Sequence, residues 1–227
     1  MLYLNFEALG CTKALFGRND GGCHFRPPGR RETITMGKKT NLIETAIRLF
    51  AEQGYDGTTT LQISREAGVT EPLIYYHFKG KEELFTYILN EAFDEYIARL
   101  EALPRETASD FEKIANLIHA TQQAVIEMPR RTRLVMSSCP ARIKDPNHIC
   151  YTRMVGIYEW HLAYLGRCLE SGIASGEFRK VPIKETAFVL ISMINGMSRQ
   201  HALLDEQGLA AARGAAEAFC RRSLVTA

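Results

Sequence analysis

No run of apolar residues in this sequence approaches the roughly 18 that a membrane span requires, and the N-terminus lacks a basic segment followed by a clean apolar stretch. Membrane insertion and secretion are therefore not expected. Two-residue alternation of apolar and polar side chains is also missing, which removes the signature of half-buried strands and leaves an all-α protein. The six cysteines, Cys11, Cys23, Cys139, Cys150, Cys168 and Cys220, form no C-x-x-C and stand in no zinc-type spacing with histidine. They read as reduced thiols of a cytoplasmic protein. No nucleophile elbow, phosphate loop, H-E-x-x-H or Glu-x-x-His pair is present, so a helical enzyme is the remote reading, and no metal or cofactor is called for. Strong net charge is lacking too. At +2 over 227 residues, a nucleic-acid-binding surface would have to be a local patch.

What is present is organised in three parts. Residues 1–35 hold "GRNDGGCHFRPPGRRETIT", rich in glycine and with two adjacent prolines, which suits a tail better than a packed element. They are expected to be a disordered extension or a mis-called start, with Met36 as the biological first residue. Residues 36–82 then form one helical unit and 83–227 a second. Leu42, Ile43, Ala46, Ile47 and Phe50 recur at helical spacing, with Thr40 or Asn41 placed to cap and Gly54 to stop the helix. Thr59 followed by Gln62 forms a capping box for a short second helix that ends at Gly68, where the chain can reverse in the left-handed conformation.

The third helix carries the chemistry. Thr70 stands at its cap and Pro72 in its first turn, where the missing amide has no helical partner to lose. At about 100° per residue, Ile74 and Phe78 share an inward face and leave Pro72, Tyr76 and Lys79 opposite, with Leu73, Tyr75 and His77 on the flanks. An aromatic and basic outer stripe on the last of three short helices is the arrangement of a helix-turn-helix. The same residues also admit a packed aromatic cluster followed by ordinary solvated lysines.

At "TTTLQISREAGVTEPLIYYHFKGKEEL" the sequence resembles the TetR family of bacterial transcriptional regulators, closely over Lys39 to Ala92 and only in layout beyond, including the "ESGIASGEFR" link. The resemblance implies phosphate contacts from Thr58 and Thr59. It places Thr70, Glu71, Pro72 and Leu73 near base edges, and Tyr75, Tyr76, His77, Lys79 and Lys81 around the backbone of the groove. Hydroxyl, imidazole and ammonium donors suit phosphate oxygens. Glu71 departs from the family pattern, because a carboxylate near DNA must accept from a cytosine amino group or be repelled.

A long fourth helix from Lys81 to Pro104 leads into helices over Phe111–Met128, Pro129–Ser137, Asn147–Ser171, Lys184–Leu204 and Leu209–Leu224. In this half His119, Met136, Met154, Trp160, His161, Tyr164 and Met193 combine large apolar surfaces with a few polar tips, the composition of a small-molecule cavity, and equally that of plain core. Arg131 and Arg133 admit two readings, an acidic ligand or an exposed helix start. The resemblance further implies that the last two helices pair with a second copy. The small-residue run Ala212, Ala215, Ala216 and Phe219 and the apolar Ala187, Leu190, Ile191 and Ile194 suit that interface, or packing within one chain. The expected function is a homodimeric repressor that binds an inverted-repeat operator and is released by an unidentified small molecule. An activator, or an effector-independent DNA-binding protein, remains the alternative.

Overall fold

The computed structural model describes residues 30–142, 145–200 and 204–226, with side chains placed from residue 37 onward except at 137–142 and 206. Residues 1–29 and the side chain of Cys139 lie outside this set. Nine helices run through the described residues: α1 (Arg30–Gln53), α2 (Thr60–Glu66), α3 (Glu71–His77), α4 (Lys81–Glu101), α5 (Asp110–Glu127), α6 (Pro129–Arg142), α7 (Ile149–Ser175), α8 (Ile183–Gln200) and α9 (Glu206–Leu224). The all-α expectation holds, with one isolated bridge among the described residues, pairing Phe178 and Val225.

Helix α1 opens at Arg30, ahead of the cap read from Thr40 or Asn41. Asn41 instead ties α1 to the end of α2, its side-chain amide donating to the carbonyl of Ala67 at 2.8 Å. Thr59 does cap α2, accepting from the amide of Gln62 at 3.1 Å. Gly68, with φ of 64°, turns the chain into α3 because a side chain would be strained there. Thr70 occupies the N-cap of α3 but its hydroxyl makes no capping bond.

One buried cluster joins Leu42, Phe50, Ile63, Ile74, Phe78 and Phe85 of the first four helices, and extends to Leu134 of α6 and Cys150 of α7. A second centres on Ile114, Leu165, Leu169, Leu190, Ile191 and Cys220. Helix α4 contributes to both, which physically couples the helix-turn-helix to the second half. The "ESGIASGEFR" link has a visible role: the Glu177 carboxylate accepts from the amides of Asp110 and Phe111 at 2.8 and 3.0 Å, closing the N-terminus of α5. Cys168 and Cys220 are free, and burial pushes both thiols up to about 11, which keeps them protonated and unreactive. Cys150 is disulfide-bonded, against the reading of a reduced thiol, and its partner lies outside the described side chains.

Candidate nucleic-acid interface and effector cavity

Helix α3 turns Ile74 and Phe78 into the core and leaves Tyr75 and Tyr76 exposed at 55% and 77%. Tyr76 makes one edge-on ring contact with His77, at 4.9 Å, and its remaining surface faces outward. Thr59, Thr70, Pro72 and Lys79 are likewise exposed or nearly so, and Leu73 and Glu71 are half-buried. These residues form a continuous face over the α2–α3 turn. The Lys79 side chain stands clear while its backbone amide donates to Glu83 Oε2 at 2.7 Å, which anchors the end of α3 to the first turn of α4.

Three expected contacts are placed differently. Thr58 is fully buried and its hydroxyl donates to the Gly54 carbonyl at 2.8 Å, so its side chain has no route to a phosphate. Lys81 turns back onto the α1–α2 loop, where Nζ donates to the carbonyls of Tyr55 and Thr58 at 2.9 and 3.0 Å and lies 4.1 Å from the Tyr55 ring centroid. It is a staple of the fold. His77 is half-buried with Nε2 inaccessible and unpartnered, and burial, then Lys39, holds its imidazole below the ordinary value. Its charged form is thereby disfavoured. Sequence reasoning could not separate these cases, because periodicity assigns a face and not a rotamer.

Glu71, the residue that departs from the family pattern, is held in place. Its Oε1 accepts from the hydroxyl of Thr60 at 2.7 Å, across the turn between the two helices. One carboxylate oxygen is thereby engaged within the protein, and the other remains able to accept from a base edge.

In the second half, a cavity of about 90 Å³ lies between α4, α5, α6, α7 and α8. Its apolar wall includes Phe93, Val125, Met128, Met136, Met154 and Ile157. Of the residues singled out in the sequence, Met136 and Met154 line it. His161 stands behind the wall, its Nε2 3.3 Å from the hydroxyl of the lining residue Tyr96, which is also 3.3 Å from Thr121 Oγ1. Burial pushes the Tyr96 phenol up to about 12 and holds the His161 imidazole low, so the pair is neutral.

The remaining residues lie elsewhere. Trp160 and Tyr164 stack at 4.9 Å along a separate groove beside Arg105 and Arg167. Exposed His119 meets Arg213 of α9 at 3.0 Å, and Met193 packs against the second core cluster. Tyr96 and Arg131 are cavity residues that composition alone does not distinguish. Arg131 suits an exposed helix start as well as a ligand, and Tyr96 carries an ordinary helical-core spacing.

The residues expected between two copies divide between the interior of the chain and its surface. Ala187, Leu190, Ile191 and Ile194 are all buried within the chain, as is Ala216. The apolar surface left uncovered on α8 and α9 is Phe188 and Val189 with Phe219, the phenylalanines exposed at 56% and 53%. Ala215 is exposed beside it, and Ala212 is half-buried.

The family model for bacterial regulatory proteins of the tetR family matches residues 42–88, the segment from the core of α1 into α4. The fatty acid metabolism regulator protein of Bacillus subtilis (strain 168) is 27% identical over 143 residues, covering 63% of this chain and 72% of that protein. The biofilm operon icaADBC negative transcriptional regulator IcaR of Staphylococcus epidermidis is 39% identical over 59 residues, 26% of this chain and 32% of its own length. In that second alignment the chain therefore spans about a third of the relative. Among solved structures, the regulator FadR of Bacillus subtilis in complex with stearoyl-CoA superposes with a TM-score of 0.62 at 22% identity, over 80% of this chain and 96% of that one. At that identity the likeness speaks for the fold. The family model and the relatives speak for the helix-turn-helix, and over residues 42–88 the chain is similar to the DNA-binding part of the bacterial regulatory proteins of the tetR family.

Proposed function

We propose that the protein is a homodimeric, cytoplasmic repressor that binds an inverted-repeat operator through α3 and releases it when a small molecule fills the cavity of the second half. The observation that carries the DNA-binding face is the pair Tyr75 and Tyr76, held outward by a helix whose other side is anchored by Ile74 and Phe78. Thr59, Thr70, Glu71, Pro72, Leu73 and Lys79 surround that pair, supplying hydroxyl, carboxylate and ammonium groups to phosphates and base edges. Repression is supported by the relative named as a negative regulator. Effector binding is supported by the stearoyl-CoA held by the FadR structure and by a cavity whose wall joins five helices.

Two copies pairing through Phe188, Val189 and Phe219 would present two α3 helices to successive major grooves, about 34–36 Å apart. A ligand that prefers a conformer with another spacing lowers operator affinity by its differential binding to the two states. Helix α4, which contributes to both cores, is the element suited to carry that change.

The test is binding of the purified protein to the intergenic DNA beside its own gene over a salt series. Specific binding that weakens as salt rises, and that falls by about 1–3 kcal/mol in Tyr76→Ala, is expected. If neither that DNA nor selection from random sequence yields a specific site, the reading fails.

A further inference from the structure

Arg131 joins the cavity to the helix-turn-helix. It lines the cavity from α6, and its Nη2 donates to Glu44 Oε1 of α1 at 2.9 Å, with Nη1 3.7 Å from Glu95 Oε2 of α4. Its Nε is buried without a hydrogen-bond partner. Among the described residues that line the cavity, Arg131 alone carries a formal charge, and none carries a carboxylate. An ammonium head would meet a guanidinium there, with no carboxylate in the lining to pair with the ammonium. An acceptor head would meet an orphaned donor.

From this we infer that the effector is a small apolar molecule bearing a carboxylate, which binds by taking Arg131 from Glu44. This rests on the regulator reading above and names its ligand class. A carboxylate pairs with a guanidinium through two parallel hydrogen bonds, which a partly exposed ion pair such as Arg131–Glu44 is too weak to resist. The tail lies against Phe93, Val125 and Ile157, and the neutral Tyr96–His161 pair adds a hydrogen-bonding group without charge. At about 90 Å³ the cavity is smaller than one that holds benzene, so the ligand is short or the wall yields. Met128, Met136 and Met154 make it a wall that yields, since unbranched thioethers repack at low cost. Binding then removes a link between α6 and α1, the first helix of the DNA-binding unit, and so biases the spacing of the two α3 copies.

The experiment uses the full chain with butanoate, hexanoate and octanoate as probes, beside the alcohols and amines of the same lengths. Melting temperature and operator retention are read for the wild type, Arg131→Gln and Glu44→Gln. A saturable rise in melting temperature with at least one carboxylate, absent with the amines, is expected, together with release of operator DNA at the same concentrations. Arg131→Gln should lose the response. Glu44→Gln, which removes the nearer of the two carboxylates that compete for Arg131, should bind the carboxylate several-fold more tightly, and it serves as the decisive variant if Arg131→Gln does not fold. Amines that stabilise as well as carboxylates, no response to any carboxylate, or Glu44→Gln with unchanged or weaker carboxylate affinity, would each overturn the inference. Operator binding without any probe is measured first, so failure of the regulator reading is seen separately.

Discussion

Thr60, the first residue of α2, donates its hydroxyl to Glu71, the first residue of α3, across 2.7 Å. The bond spans the turn of the helix-turn-helix and fixes a carboxylate at the edge of the face proposed to meet DNA.

If the proposed face meets DNA, Glu71→Gln is expected to tighten binding to random-sequence DNA about fivefold at low salt, the equivalent of about 1 kcal/mol for one repulsion of close charges in water. Affinity for the specific operator should gain less, or fall, if the carboxylate accepts from a cytosine amino group. Fluorescence anisotropy with both DNAs measures the ratio, and equal changes on both would show that Glu71 reads no base.

Lys79 and Lys81 lie two residues apart and should behave oppositely. Lys81→Ala removes a charged donor from two carbonyls and is expected to lower the unfolding free energy by roughly 1.5–3 kcal/mol, read by urea denaturation. Lys79→Ala should leave stability within about 0.5 kcal/mol and reduce the slope of log affinity against log salt by about 1. A reversed pattern would mean that the staple opens when DNA binds.

On α8, nearby positions separate assembly from folding. Phe188→Glu places a charge on an exposed apolar face and is expected to yield a folded monomer in analytical ultracentrifugation with weakened operator binding. Ile191→Ala, inside the chain, should instead cost about 2–5 kcal/mol of protomer stability. A Phe188→Glu protein that remains dimeric would move the interface elsewhere.

His161 makes stability depend on pH in a defined direction. Burial, only partly offset by the Ile157 carbonyl, holds its folded-state value below the ordinary 6.5. Well above pH 6.5 the imidazole is neutral in both folded and unfolded chains and adds no dependence. Below it the unfolded chain takes up the proton first, so stability falls as pH drops toward the folded-state value. His161→Gln is expected to flatten the slope of unfolding free energy below pH 6.5 relative to the wild type. Identical slopes in the two proteins would show that His161 gains a proton without unfolding.

The elements and their order were legible in the sequence because each rests on local chemistry. Thr59 with Gln62 starts α2, Gly68 ends the turn with a positive φ, and the spacing of Ile74 and Phe78 decides which side of α3 is inward. These depend on residues one or two helical turns apart, and no distant partner changes them. Composition likewise excluded membrane spans, and none of the described helices is long and apolar enough to cross one.

What tertiary structure decided was which of several equally suitable side chains is drawn into a long-range contact. Thr58 and Lys81 have the hydroxyl and ammonium a phosphate wants, yet the α1–α2 loop takes both, Lys81 across 26 residues to Tyr55. Leu190 and Ile191 suit an interface as well as Phe188 does, but α5 and α7 pack against α8 and cover them first. The cavity joins Tyr96, Arg131 and Met154 from three helices, and the charge of Arg131 is shared with Glu44, 87 residues away. Sequence periodicity specifies a face, whereas competition among distant partners for that face is settled only when the helices pack.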